Sequence, residues 1–172
     1  MPHIGMFCAK DVLSDSRNCA VLSKIASLCG TLCALPLLNC EKTPIFDVLI
    51  INDPHESVGR VSLVMLPSSF ILINSDRNDY TSVRRYSGRL ITYGLNQKAC
   101  ITASSIIGDE SGGQMQVCIQ RGFPTATGET AAVQEFPVHM HALGVDATIA
   151  MVGVLLVCGI TACEIIEVFN PA

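Results

Sequence analysis

Three groups of residues in this chain have side chains and spacings suited to chemistry. In Asn52-Asp53-Pro54-His55 a carboxylate and an imidazole follow an apolar run. Asp53 and His55 are therefore a candidate site for a divalent ion, since ligands gather at the carboxyl ends of strands in open α/β sheets. The same residues also suit a solvated turn shaped by Pro54. His139 and His141, with Asp146 close behind, form a second candidate cluster. Alternate positions of an extended segment share one face, which would place both imidazoles together for metal binding or acid–base work. They equally suit the capping region of a following helix. Arg77, Arg84, Arg85 and Arg89 gather four of the chain's eleven cations into one short stretch. Such a cluster is a candidate anion site for a phosphate or an acidic partner, or else a solvated helix face. Asp76 and Asp79 suit a structural task, since Asx side chains bond local backbone N–H groups at turns. No serine or cysteine stands in a nucleophile-elbow sequence, so nucleophilic catalysis is not expected.

The chain around these residues is 172 long, 49% hydrophobic and 15% charged. An average soluble domain is about 25% charged. Low charge with high apolar content excludes a disordered tail. With six Phe, three Tyr and no Trp, the core must be aliphatic. A net charge of −4 gives no general electrostatic footprint for nucleic acid. The nine cysteines include no Cys-x-x-Cys pair, and most lie among aliphatic residues as small core hydrophobes do. Cys29 and Cys33, one helical turn apart, come nearest to a zinc-type pair. The opening His3 to Phe7 lacks the basic start of an export signal and soon reaches Lys10 and Asp11. Reduced thiols and no export signal set the expectation of a cytoplasmic protein.

The elements that must position these groups are legible as apolar runs. His3 to Phe7, Asp47 to Asn52, Phe70 to Asn74 and Arg89 to Gly94 suggest strands, the central ones buried on both faces. Between the first two, Val21, Leu22, Ile25, Leu28 and Leu32 recur at helical spacing after Ser14 or Asp15 as N-cap. Gly30 and Pro36 should end or distort that helix. Ala99 to Ile107 and Gln114 to Gln120 alternate around Asp109-Glu110-Ser111-Gly112-Gly113, which predicts an antiparallel hairpin in a small second sheet. Gln134 to Val138 suggests an edge strand, and Ala147 to Val157 a helix stopped by Gly159. The uncharged runs 25–40 and 147–163 fall short of the roughly 20 apolar residues that span a bilayer, and glycines or Pro36 interrupt them. Buried helices on a sheet are expected, and no membrane span. The expected fold is α/β: one domain over residues 1–172, a mostly parallel sheet with helices on both faces and a small antiparallel hairpin unit.

Three stretches, in order, resemble the central ATP-binding domain of the Mur ligases and their folylpolyglutamate synthetase relatives. Leu66-Pro67-Ser68-Ser69 and the strand after it, ending in Asn74-Ser75-Asp76-Arg77-Asn78-Asp79, look like the family's Leu-Pro, Gly, strand, Asn-x-Asp-Asp segment. Leu90 to Leu95 followed by Ala99-Cys100-Ile101-Thr102-Ala103 resembles its strand-Tyr/Phe-Gly and Ala-Asp-hydrophobic passage. Val138 to Ile160 is similar to the stretch where a His-Asn turn opens an Ala-rich helix. Together these cover residues 47–160. Ile4-Gly5-Met6 fits the strand that leads into the family's phosphate loop, giving a P-loop-type topology.

The resemblance implies ATP- and Mg²⁺-dependent amide ligation through an acyl phosphate. Several of the required parts are missing here. A phosphate cradle needs glycines, a Lys and a hydroxyl, yet no glycine lies between Gly5 and Gly30, and Gly-Lys-Ser/Thr is absent. Asn52-Asp53-Pro54-His55 is a shortened form of the family's metal-binding His turn. No Lys lies between His55 and Arg77, where the family has one that helps hold a second Mg²⁺. The stretch from His139 to Asp146 keeps a His and lacks the family's Asn. The first expectation is a non-catalytic binding or regulatory homologue linked to cell-wall metabolism, without a resident cofactor. The alternative is a divergent ligase component that uses ATP and Mg²⁺, with Asp53, His55 and the arginines completed by a partner chain. A membrane-associated protein using residues 147–163 is the third. A protein partner or a second copy of the chain is expected, because an isolated domain leaves apolar surface where sister domains would dock.

Overall fold

The computed structural model describes residues 2–7, 14–35, 46–52, 65–77, 89–109 and 112–170. Its main sheet has eight strands. They are β1 (His3–Phe7), β2 (Thr31–Leu35), β3 (Phe46–Ile51), β4 (Met65–Asn74), β5 (Arg89–Tyr93), β6 (Ile101–Asp109), β7 (Gly112–Ile119) and, last in the sheet, β10 (Gln134–His139). Their order across the sheet is β10-β7-β6-β5-β4-β3-β1-β2. From β2 to β6 every neighbouring pair is parallel, and the β6–β7 and β7–β10 pairs are antiparallel. A separate two-stranded antiparallel sheet joins β8 (Phe123–Pro124) to β9 (Thr130–Ala131). The fold class is therefore the expected one. The predicted hairpin, however, is part of the main sheet, because β6 continues the parallel array beside β5 through Tyr93 and Ile101.

The central strands carry aliphatic residues on both faces because both faces are buried. Val48, Ile50, Phe70, Leu72, Ile91 and Tyr93 join one apolar cluster with the helices. On the alternate positions, Leu49, Ile51, Ile71 and Ile73 are equally buried. Pro67, which has no N–H to give a ladder, falls where the β3–β4 register is irregular, between the Phe46–Met65 and Val48–Phe70 pairs.

Helix α1 (Cys19–Cys29) buries Val21, Ile25 and Cys29, a single stripe at four-residue spacing. A 3-10 turn, Ser16–Asn18, leads into it, with the Asp15 carboxylate accepting the Arg17 N–H at 2.9 Å. Gly30 ends α1 at φ 100°, and its N–H donates to the Ala26 carbonyl. The helical period that sequence carries on to Leu32 is overruled there. Thr31–Leu35 pairs with β1 along its whole length and becomes the edge strand β2.

Helix α2 (Gly144–Val157) has every residue from Ala147 to Val157 buried, as expected of a helix that is apolar all round. It lies on β4, β5 and β6, with α1 and α3 (Ala162–Phe169) against it. Gly153 permits the close approach, since a Cβ there would run into Leu72 and Ile101. α3 begins at a capping box, Thr161 with Glu164, and buries Ile165, Val168 and Phe169. No helix among the described residues is long and apolar enough to cross a membrane.

Candidate functional site

The parallel strands β3, β4 and β5 end side by side, and a polar residue closes each apolar run. Asn52 follows β3, while Asn74 and Tyr93 are the last residues of β4 and β5. Asn74 and Tyr93 are paired across the ladder and fully buried. Asp146, in the first turn of α2, comes to the same place. The Asn74 amide donates to Asn52 Oδ1 at 3.0 Å and to Asp146 Oδ2 at 3.2 Å. Its carbonyl oxygen accepts the Asp76 N–H at 2.9 Å. Both N–H donors and the oxygen of this buried amide are thus engaged, as burial requires. The Tyr93 hydroxyl donates to Asn52 Oδ1 at 3.4 Å. Burial, and then the Asp146 charge, push the Tyr93 phenol above its ordinary range, so it remains a neutral donor. At the rim, the Arg77 guanidinium stands 4.0 Å from Asp146 Oδ2.

Beside this network the Asp76 carboxylate accepts the backbone N–H groups of Leu95 at 2.6 Å and Asn96 at 2.9 Å. The Asn96 side-chain amide reaches Asp76 Oδ1 at 2.7 Å and Ser75 Oγ at 2.6 Å. Gly94, at φ 141°, opens the turn, and a Cβ on it would sit 2.7 Å from the Asp76 carboxylate. The turn after β5 is a backbone nest already filled by an acid of the same chain.

The expected groupings are rearranged. His139 and His141 do meet, with ring centroids 4.7 Å apart and edge to face. They are not on one extended segment: His139 ends β10, and His141 opens a 3-10 turn at φ 52°. His141 Nε2 lies 2.6 Å from the Phe169 carbonyl, which can only accept, so that nitrogen carries a proton. The His141 N–H donates to His139 Nδ1 at 3.2 Å. Burial, opposed by the Phe169 bond, holds the His141 imidazole below its usual pKa. Asp146 does not join them, because α2 directs it to Asn74 and Arg77.

The arginines also separate. Arg77 follows the carboxyl end of β4, whereas Arg89 opens β5 at the amino end with its guanidinium 5.1 Å from the Phe70 ring centre. The strand between these ends rises about 13 Å, so the two do not form one anion site. Asp53, His55, Arg84, Arg85 and Asp79 lie outside the described residues. Asn52, Asn74 and Tyr93 carry the site without having been singled out from sequence. Their signals were a polar residue closing each apolar run and a place in the stretches that resemble Mur-ligase segments.

Chemically, the buried Asn74 carboxamide and Tyr93 phenol are spent on their neighbours, and what the rim offers a polar ligand is the partly exposed Asp146 carboxylate and Arg77 guanidinium. Among the described residues no three His, Cys, Asp or Glu side chains gather to hold a metal ion. Mg²⁺ takes oxygen ligands in octahedral geometry. Here both Asp76 oxygens bind backbone N–H groups and Asp146 Oδ2 accepts from Asn74. The described residues do not fit a Mg²⁺–nucleotide centre.

No protein-family model matches the chain, and no curated protein does. Solved structures match closely in shape. A UDP-N-acetylmuramoylalanyl-D-glutamyl-2,6-diaminopimelate–D-alanyl-D-alanyl ligase from Acinetobacter baumannii superposes on the whole chain with a TM-score of 0.67 at 12% identity. Two crystal structures of MurF from the same organism give 0.70 at 11% identity over the whole chain and 0.61 at 13% over 99% of it. The chain spans 46% of the length of each. Its fold is Mur-ligase-like.

Proposed function

We propose that this chain is a non-catalytic binding or regulatory module built on the Mur-ligase fold, acting in the cytoplasm in connection with cell-wall metabolism. The observation that carries the reading is that, among the described residues, the polar groups of the carboxyl edge are bonded within the chain. Asp76 fills the nest at Leu95 and Asn96, and Asp146 Oδ2 accepts from Asn74, so the described groups that could hold Mg²⁺ or phosphate already have partners within the chain. The sequence supports the same reading, because residues 8–14 after β1 contain no glycine and the chain has no Gly-Lys-Ser/Thr. In this reading the partly exposed Arg77 and Asp146 at the rim recognise a polar group of a protein partner or of a second copy of the chain.

A second reading, a divergent ligase component using ATP and Mg²⁺, is favoured by the whole-chain likeness to ligase structures. Calorimetric titration of the protein with ATP, with and without Mg²⁺, separates the two, with His55→Ala and Asp146→Asn as controls. The expected result is no heat and no shift in melting temperature at millimolar ATP. A ligand that binds only the folded state must raise the melting temperature by mass action. Saturable Mg²⁺-dependent binding that either control weakens would overturn the non-catalytic reading.

A further inference from the structure

At the opposite, amino end of the same strands lies a cavity of about 650 Å³. Asp47, Phe70, Arg89, Leu28, Thr127 and Cys158 contribute to its wall. Cys158 is the C-cap of α2, and Cys29 is the last residue of α1, so two packed helices end at one place and each ends in a thiol. Cys158 packs against the apolar cluster that contains Cys29, and the two thiols interact. Cys29 is buried, while Cys158 is partly exposed and faces the cavity. Both are free thiols, as are Cys19 and Cys163, which are exposed.

We propose that Cys158 and Cys29 form an oxidisable dithiol, with this cavity as the entry for a low-molecular-weight disulfide. The Cys158 thiolate attacks one sulfur of the incoming disulfide, forming a mixed disulfide and releasing the first thiolate, which takes up the proton Cys158 lost. Cys29 then loses its proton and attacks Cys158 Sγ. That forms the Cys29–Cys158 bond and releases the second thiol with that proton. Overall, one small disulfide is reduced to two thiols as two protein thiols become one disulfide. The order follows from access, since only Cys158 meets the cavity. Electrostatics agree: interaction with the Cys29 thiol holds Cys158 below the ordinary thiol range, against burial and the Asp47 charge. The same interaction, and burial, push Cys29 up. A partly exposed thiol with thiolate character is the one that reacts. In a reducing compartment such a bond is transient and reports the redox state.

The test incubates the reduced, folded protein with oxidised glutathione and maps disulfides by mass spectrometry of a non-reduced digest. The Cys29–Cys158 link should form about tenfold faster than glutathione adds to Cys19 or Cys163. In Cys29→Ser, glutathione should remain on Cys158 as a stable mixed disulfide. In Cys158→Ser the link is lost and Cys29 stays unmodified. Circular dichroism melts establish that each variant is folded. Should Cys29→Ser fail to fold, pulse alkylation of the native wild-type protein decides, with Cys158 expected to be labelled ahead of Cys19 and Cys163. Glutathione on Cys19 and Cys163 with Cys29 and Cys158 unlinked, or Cys158 labelled last, overturns the proposal.

Discussion

The two ends of the same parallel strands are built on opposite principles. At the carboxyl end, Asn52, Asn74, Tyr93 and Asp146 are buried or half-buried and hydrogen-bond mainly to one another. At the amino end, Asp47, Arg89 and Cys158 stand around an open cavity, and Arg89 rests on Phe70 through its ring face. In open α/β sheets the carboxyl end is where ligands are expected. Here, among the described residues, that end is the more completely satisfied one, and a partly exposed thiol stands at the other. Where a polar network is closed, each member is held by the cost of leaving its partners unpaired. Where it is open, the side chains are available to something else.

That contrast can be broken most directly at Asn74. Asn74→Ala removes the amide that joins Asn52 to Asp146 and leaves polar atoms without partners in a buried place. It should cost about 3 kcal/mol of unfolding free energy, read from urea midpoints at constant slope. Next comes Gly94→Ala, which places a Cβ against the Asp76 carboxylate at a φ that L-residues avoid. A loss of about 2 kcal/mol is expected by the same measurement. At the amino end, Arg89→Ala removes only the cation over the Phe70 ring and should cost about 0.5 kcal/mol. An Arg89→Ala loss as large as that of Asn74→Ala would end the contrast. Arg77→Ala should be the smallest change, under about 0.5 kcal/mol, because the pair with Asp146 is long and exposed.

His141 sharpens the comparison through pH. Its folded pKa lies below the unfolded value of 6.5, chiefly because burial disfavours the cation. The unfolded chain therefore takes up its proton first as pH falls. The His141 contribution is complete above pH 6.5 and is lost progressively as pH drops below that value toward the folded pKa. Urea midpoints measured from pH 7.5 to pH 5 should fall, and His141→Gln should flatten that part of the slope. An unchanged slope would mean that the imidazole titrates alike in both states.

The parallel strands were legible because runs such as Asp47 to Asn52 and Phe70 to Asn74 are aliphatic throughout and close on a polar residue. The short helix α3 left a signal as well, since Thr161 and Glu164 stand at capping-box spacing before Ile165, Val168 and Phe169. Strand β2 left none, because Thr31–Leu35 continues an apolar helical period and its own sequence does not favour a strand. Only β1 lying alongside makes it one. The site was hidden for the same kind of reason. Asn52, Asn74, Tyr93 and Asp146 are far apart in the chain, and what brings them together is sheet register plus the docking of α2 by Gly153 against Leu72. His139 and His141 were close in sequence, and a left-handed backbone at His141 decided which atoms they use.

By itself, the sequence determined the α/β class, the buried central strands, the apolar helix and the absence of a glycine phosphate loop. These follow from local pattern, because burial on one face or two writes itself into hydrophobic spacing. The tertiary structure alone decided which polar residues neighbour each other, that Asp146 belongs with Asn74 and not with the histidines, and that Cys29 and Cys158 meet. Hydrogen bonds and thiol pairs depend on distances of a few ångströms between strangers in the chain, and only packing sets those distances.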